Sequence, residues 1–253
     1  MAYSHILVTR PREEAQELAE MLEASAAQII VMPAYEFHPS KLFPDQIKRM
    51  KSAAAGQDRP LVVFTSPRSV EYGLIQIPPE VLQSALVAAI GPSTSSMLEA
   101  AGVEVTLRPE GGFTSEDLLT SLSGQGQLRG GRSRSAFIIA APGGRTALLE
   151  GLQALGFETQ MLMVYGRKSA ELSSADVAAI TEASAVLSVW TSANAMNSLS
   201  QRLPARCWSK LCRGDWLVIS ERLQRVARAF SPRKIHLASG PTNSDIARAI
   251  KAL

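Results

Sequence analysis

Short stretches of this chain occur twice, in the same order and at nearly the same separation. Val63-Phe64-Thr65-Ser66 is echoed by Val189-Trp190-Thr191-Ser192, with Phe64 and Trp190 126 positions apart. Ala89-Ile90-Gly91-Pro92 is echoed by Val218-Ile219-Ser220-Glu221, with Gly91 and Ser220 129 apart. Thr114-Ser115-Glu116-Asp117 returns as Thr242-Asn243-Ser244-Asp245 at a spacing of 128. Tyr35 and Tyr165, each at the end of a strand-helix-strand stretch, are 130 apart. A steady offset over four landmarks implies one folding unit used twice. Two such units make two lobes, with a cleft expected where they meet.

Between the landmarks, apolar runs alternate with amphipathic ones. Strands are predicted at Ile6–Thr9, Ile29–Met32, Leu61–Thr65, Val87–Ile90, Phe137–Ala140, Gln160–Val164, Ala185–Trp190, Trp216–Ile219 and Lys234–Ala238. They are apolar throughout rather than alternating, which suits strands buried on both faces of a parallel sheet. Helices are predicted at Glu14–Ala24, Ser93–Ala101, Thr146–Leu155, Ala193–Arg202 and Arg222–Phe230. The expected fold class is therefore α/β, with two doubly wound parallel-sheet lobes. A tandem split near Gly126–Arg134, a Gly/Ser/Arg-rich stretch, fits this pattern. So does a split at bridges after Tyr35 and Tyr165, which makes one lobe discontinuous.

Composition narrows the function classes. The 253 residues are 46% hydrophobic, enough for two modest cores. A net charge of +3 with Lys and Arg read as scattered argues against a nucleic-acid partner. No apolar run reaches the roughly 20 residues that span a bilayer. The start, Met1-Ala2-Tyr3-Ser4-His5, lacks the features of a signal peptide, so a cytoplasmic location is expected. Cys207 and Cys212, the only cysteines, are expected as reduced, buried groups rather than metal ligands. His5, His38 and His236 share no triad or metal spacing.

The candidate site residues cluster at strand-to-helix turns. Thr65-Ser66 and Thr191-Ser192 stand where a buried strand gives way to a helix, the place where open α/β sheets take ligands. Hydroxyls and unpaired N–H groups there bind anions, and the same serines can cap the helices that follow. Gly91, with Ser93 and Thr94, opens a second such turn, and Ser220 stands at its counterpart. Pro142-Gly143-Gly144-Arg145 lacks both the dinucleotide fingerprint and the P-loop ending, leaving a plain turn or an anion nest with Arg145. Thr114…Asp117 and Thr242…Asp245 read as capping boxes with Asp in the usual place of Glu. No cofactor motif is present.

Taken in order, Ile6-Leu7-Val8-Thr9-Arg10-Pro11, Val63-Phe64-Thr65-Ser66, Ala89-Ile90-Gly91-Pro92-Ser93-Thr94, Gly144-Arg145, Tyr165-Gly166-Arg167 and Trp190-Thr191-Ser192 resemble the uroporphyrinogen-III synthase family. The resemblance spans the whole chain. It implies a discontinuous lobe of residues 1–35 and 170–253, an inserted lobe of residues 40–165, and linkers at 36–39 and 166–169 that together make a two-stranded linker. It further implies a monomeric, cofactor-free lyase of tetrapyrrole biosynthesis. Such an enzyme closes linear hydroxymethylbilane, a polyanion with eight carboxylates, with loss of water and inversion of the last pyrrole ring. By the same resemblance Tyr165 is the expected acid, and Arg10, Thr65, Ser66, Gly91, Ser93, Thr94, Gly144, Arg145, Thr191, Ser192 and Ser220 are expected to hold substrate. Where family members often carry Thr, this chain has Arg222-Leu223. Transient contact with the preceding pathway enzyme is the one protein partner implied. The competing expectation is a two-lobed cytoplasmic anion receptor without catalysis.

Overall fold

The computed structural model describes residues 3–23, 26–109, 112–124, 134–143 and 146–253. In chain order it begins with β1 (His5–Val8), α1 (Arg12–Glu20), β2 (Gln28–Val31), β3 (Tyr35–Pro39) and α2 (Pro44–Ala54). Then come β4 (Leu61–Phe64), α3 (Pro67–Leu74), α4 (Pro79–Ser84), β5 (Leu86–Ala89) and α5 (Pro92–Ala100). Next are α6 (Ser115–Gly124), β6 (Arg134–Ala140), α7 (Ala147–Ala154), β7 (Phe157–Met163) and β8 (Tyr165–Ser169). The chain closes with α8 (Ser174–Glu182), β9 (Val186–Trp190), α9 (Ala193–Arg202), α10 (Ala205–Arg213), β10 (Asp215–Val218), α11 (Glu221–Arg228), β11 (Lys234–Leu237) and α12 (Asn243–Lys251).

The chain divides into two compact lobes. One combines Met1–Phe37 with Arg167–Leu253, and the other is His38–Gly166. The two linkers, expected together as a two-stranded connection, are β3 and β8, which pair as a two-stranded sheet, and the chain changes lobe within each. Backbone groups along an extended connection still need partners, and pairing the two connections supplies them.

The discontinuous lobe holds a five-stranded sheet in the order β11-β10-β9-β1-β2, and every pair is parallel. Alternate residues of each strand enter different cores, because side chains switch faces at every residue. Leu7, Val186, Trp190, Trp216 and Val218 face one core with residues of α8 to α11. Ile6, Val8, Leu187, Val189 and Leu217 face the other with residues of α1 and α12. Both faces are covered, which explains the unbroken apolar runs.

The inserted lobe holds the parallel order β5-β4-β6-β7. An isolated parallel bridge, Ala88 to Leu107, adds the beginning of a fifth strand that the sequence pattern did not reveal. Leu61, Val63, Ala136 and Ile138 pack with Leu118 and Leu122 of α6 and Leu148 and Leu152 of α7. On the opposite face α3 lies so close that a Cβ at Gly73 would stand 3.0 Å from Ile139 and 3.1 Å from Phe64.

Both capping boxes form. The Thr242 hydroxyl accepts from Asp245 N–H at 3.2 Å, and the Asp245 carboxylate accepts from Thr242 N–H at 3.3 Å. Thr114 and Asp117 repeat the arrangement, at 3.2 and 2.9 Å. Asp serves in place of Glu because its short carboxylate also takes the threonine hydroxyl, at 2.5 Å in one box and 2.6 Å in the other. Thr242→Ala is expected to destabilise the discontinuous lobe by about 1 kcal/mol, the usual worth of an N-cap. Denaturant titration of wild type and variant checks it through a lower midpoint at unchanged slope.

No helix among the described residues is long and apolar enough to cross a membrane. Nor do those residues contain a group of three or more His, Cys, Asp or Glu placed to hold a metal.

Candidate active site

In an open α/β sheet, ligands bind beyond the carboxyl ends of the strands, where successive crossovers leave in opposite directions. In the inserted lobe that point lies between β4 and β6: the chain leaves β4 toward β5 and β6 toward β7. Thr65 stands there. Its hydroxyl donates to Ile139 O at 3.0 Å and its N–H to the same oxygen at 3.3 Å, joining the ends of the two strands.

Ser66 follows as N-cap of α3. Its hydroxyl accepts from Ser69 N–H at 3.1 Å, while the Ser69 hydroxyl accepts from Ser66 N–H at 3.0 Å. The Ser69 hydroxyl donates to Ser66 O at 2.6 Å. Ser69 thus stands where a capping box usually has Glu or Gln, and it is completely buried. The sequence reading passed over Ser69; the Ser-x-x-Ser spacing was the signal available for it.

With its position fixed in this way, the Ser66 hydroxyl lies 3.2 Å from the Tyr165 hydroxyl. Either oxygen can be the donor across that gap, so the two form one hydrogen-bonded pair. Tyr165 is 8% exposed, and its ring stacks on Tyr72 with centroids 5.5 Å apart and planes at 21°. The backbone before it is held firmly. Val164 N–H donates to Ala140 O at 3.1 Å, and Val164 O accepts from Ser40 N–H at 2.9 Å. Gln76 closes the frame, donating to Ser40 O at 3.0 Å and accepting from Leu42 N–H at 2.8 Å. Gly166 lies close to His38, so that a Cβ there would stand 2.8 Å from the tip of the His38 ring and the ring would have to turn aside.

One strand over, Gly91 is the N-cap of α5, with Ser93 and Thr94 in the first turn. Thr94 is 2% exposed. A Cβ on Gly91 would meet nothing within 4 Å, and its φ of −122° suits any residue. Packing therefore does not demand glycine here. Gly144 and Arg145 lie outside the described residues.

The discontinuous lobe has its own point of opposite crossovers, between β9 and β1. There the Thr9 hydroxyl donates to Val189 O at 2.7 Å, again joining two strand ends. Thr191 and Ser192 follow β9. Ser192 is the N-cap of α9 but makes no side-chain capping bond. Ser220 does cap α11, accepting from Leu223 N–H at 3.3 Å. Arg10, expected from sequence to hold substrate, has structural partners. Its guanidinium donates to Pro241 O at 3.0 Å and Asn243 Oδ1 at 2.9 Å, and it pairs with Glu14 at 3.5 Å.

A cluster that sequence reasoning missed sits at the opposite end of this sheet, where β10 begins. Asp215, 3% exposed, accepts from the Tyr3 hydroxyl at 2.6 Å and Arg233 Nε at 2.7 Å, with His236 Nε2 at 3.2 Å. Burial pushes the carboxyl up, but the bonds from Arg233, Tyr3 and His236 outweigh it and hold the group at about 2. Burial and the neighbouring carboxylate push the Tyr3 phenol up to about 12. Being at the amino ends of the strands, the cluster is read as a structural lock.

The fold and these sites define a two-lobed parallel α/β protein with hydroxyl-rich strand ends. The family model described as uroporphyrinogen-III synthase HemD matches residues 16–248, so the chain belongs to the uroporphyrinogen-III synthase family. The Escherichia coli K12 uroporphyrinogen-III synthase is 27% identical over 253 residues, covering 97% of this chain and 99% of that protein. A shorter match, to a protein of Methanothermobacter thermautotrophicus, is 30% identical over 162 residues and takes in 62% of this chain and 60% of that relative. In fold, the chain is similar to a mutant uroporphyrinogen III synthase of Thermus thermophilus, with a TM-score of 0.57 and 17% identity over 98% of this chain and 99% of that one.

Proposed function

We propose that this chain closes hydroxymethylbilane to uroporphyrinogen III, with Tyr165 as the proton donor. The observation that carries the reading is the Tyr165 hydroxyl, held 3.2 Å from Ser66 beside the strand ends of the inserted lobe. In the proposed reaction a proton goes to the terminal hydroxymethyl oxygen, the C–O bond breaks and water leaves. The azafulvenium cation left behind is attacked by the substituted carbon of the last pyrrole, giving a spiro intermediate. That intermediate fragments and recloses with the last ring inverted. Rearomatisation then releases one proton, which restores the donor, so the net change is loss of one water.

Hydroxyls and helix N-termini at both sets of strand ends suit the substrate's carboxylates, and the chemistry asks chiefly for a weak acid and a fixed orientation of the rings. Thr65, Ser66, Ser93 and Thr94 in one lobe, and Thr191, Ser192 and Ser220 in the other, are the proposed contacts. Gly144 and Arg145 belong to the proposal by their place in the sequence motif. Arg10 is proposed as a support for the loop before α12 as well as a contact. A cytoplasmic monomer without cofactor, with transient contact to the preceding pathway enzyme, completes the reading.

The test is to supply freshly prepared hydroxymethylbilane and separate the uroporphyrinogen isomers. Formation of the inverted isomer supports the reading. Formation of the uninverted isomer alone, at the rate seen without protein, would leave a binding protein in its place. Gly91→Ala gives a second check. Because a Cβ there meets no protein atom within 4 Å, the only expected cost is that of Ala as a poorer N-cap than Gly, about 1 kcal/mol or less. Turnover should fall, since the added methyl occupies space that the bound substrate needs at the α5 N-terminus. Unchanged KM and turnover would remove that turn from the site.

A further inference from the structure

The basic residues, read from sequence as scattered, are densest in one stretch of the chain. Residues 202–234 carry nine Lys and Arg against Asp215 and Glu221, a local net charge of +7 in a chain whose total is +3. Two of the nine have structural partners: Arg202 donates to Ala34 O at 2.9 Å, and Arg233 holds Asp215. Arg222, Arg225 and Arg228 are exposed and make no ion pair or side-chain hydrogen bond with a described residue. All three lie on α11, whose Leu223 and Ala227 are buried in the core beneath.

Their spacing, i, i+3 and i+6, makes a ridge ~9 Å long on one helix face. Like charges at neighbouring positions cost helix stability, and Arg222 stands in the first turn, where the helix dipole disfavours a cation, while Arg225 and Arg228 stand in the last turn, where it favours one. On α11 no acidic side chain offsets this except Glu221. No large exposed apolar residue lies on α11, so the ridge offers charge without a hydrophobic anchor. That favours a mobile polyanion over a stable protein partner or a bilayer. Position favours the same choice: α11 starts from Ser220, just beyond β10, on the strand-end side that carries Thr191 and Ser192.

We infer that the arginine ridge of α11 collects the polycarboxylate substrate and guides it to the strand ends of the discontinuous lobe. The inference rests on the proposed activity for the identity of the polyanion. Fields of this kind raise association about 10–10³-fold at low salt and fade as ionic strength rises.

The test compares wild type with R222Q/R225Q/R228Q and with R222K/R225K/R228K. For the Gln triple, kcat/KM with hydroxymethylbilane should fall about tenfold at low salt, with kcat within twofold and a flatter dependence on salt. The Lys triple should recover most of the loss, because charge rather than guanidinium geometry is at work. Titration with uroporphyrin I, an octacarboxylate, provides a readout independent of turnover. Weaker binding by the Gln triple alone supports the ridge even if no cyclisation is found. Equal kcat/KM, salt slope and uroporphyrin affinity in wild type and Gln triple would overturn the inference. So would retention of a short DNA duplex by wild type alone at physiological salt with kcat/KM unchanged, which would make the ridge a nucleic-acid surface.

Discussion

Tyr165→Phe is expected to lower turnover about 10²–10⁴-fold with little change in substrate affinity, the range that general acid catalysis usually spans. The substitution removes one oxygen and keeps the ring stacked on Tyr72, so folding should be preserved. Single-turnover measurements with hydroxymethylbilane would separate the chemical step from binding. A loss of about tenfold or less would mean that water or a substrate carboxylate donates the proton, and that orientation of the rings supplies most of the rate. An unchanged rate would remove Tyr165 from the mechanism and leave it a packing aromatic beside β3. The isomer produced divides the roles further. A slow variant that still yields only the inverted isomer would assign orientation to the strand ends rather than to this hydroxyl. Ser66→Ala is a companion case, since it removes the hydrogen-bond partner 3.2 Å away and the cap on α3 together.

The second large effect is expected at Asp215. Asp215→Ala leaves the buried Tyr3 hydroxyl without its acceptor and Arg233 without its carboxylate. Removing one member of a buried charged network costs about 3–5 kcal/mol, and the low end applies because the Arg233 side chain is 63% exposed. A loss of about 3 kcal/mol corresponds to a fall in melting temperature of about 6–12 °C.

The pH dependence follows from the same bonds. Asp215 titrates at about 2 in the fold and near its ordinary value of 3.8 in the unfolded chain. The unfolded chain therefore takes up this proton first as pH falls, and stability present above pH ~4 is lost between ~4 and ~2, in all about 2 kcal/mol. Tyr3 is shifted the other way, to about 12 from 10. Its contribution is complete below pH ~10 and lost as pH rises toward ~12. Asp215→Asn should remove the Asp215 part of the acid limb, leaving that of Asp245, whose carboxyl the bonds from Thr242 also hold low, and keep part of the alkaline limb, since burial is the larger cause of the Tyr3 shift. Tyr3→Phe should remove the Tyr3 part of the alkaline limb, leaving that of the Cys207 and Cys212 thiols, which burial also pushes up. Denaturant melts across pH would show both; an acid limb unchanged in Asp215→Asn would refute the assignment.

Much of the architecture was legible in the residues. Runs such as Leu61-Val62-Val63-Phe64 have no polar face, so they could only be strands covered on both sides, and all four are completely buried. Thr242 and Asp245 announced a helix start because a cap is a contact between residues three apart, wholly contained in the local sequence. The recurring Thr-Ser pairs likewise placed the candidate turns at strand ends. Arg10, by contrast, is expected to hold substrate only through the family resemblance. Only the fold reveals that Pro241 and Asn243, more than 200 positions away, are also its partners.

What the sequence by itself determined were the features set by short-range rules: strand and helix periods, caps, and the order of strand and turn motifs. Tertiary structure alone decided the rest. The pairing of β3 with β8, expected as a two-stranded linker only through the family resemblance, joins segments far apart in the chain, and neither segment has the apolar run that marks a strand. The meeting of Ser66 with Tyr165 spans 99 positions, and that of Tyr3 with Asp215 spans 212. Nothing local in either residue encodes its partner, because a hydrogen bond of this kind depends on how strands are ordered in a sheet. That order is settled by the burial of whole apolar faces and not by any one side chain.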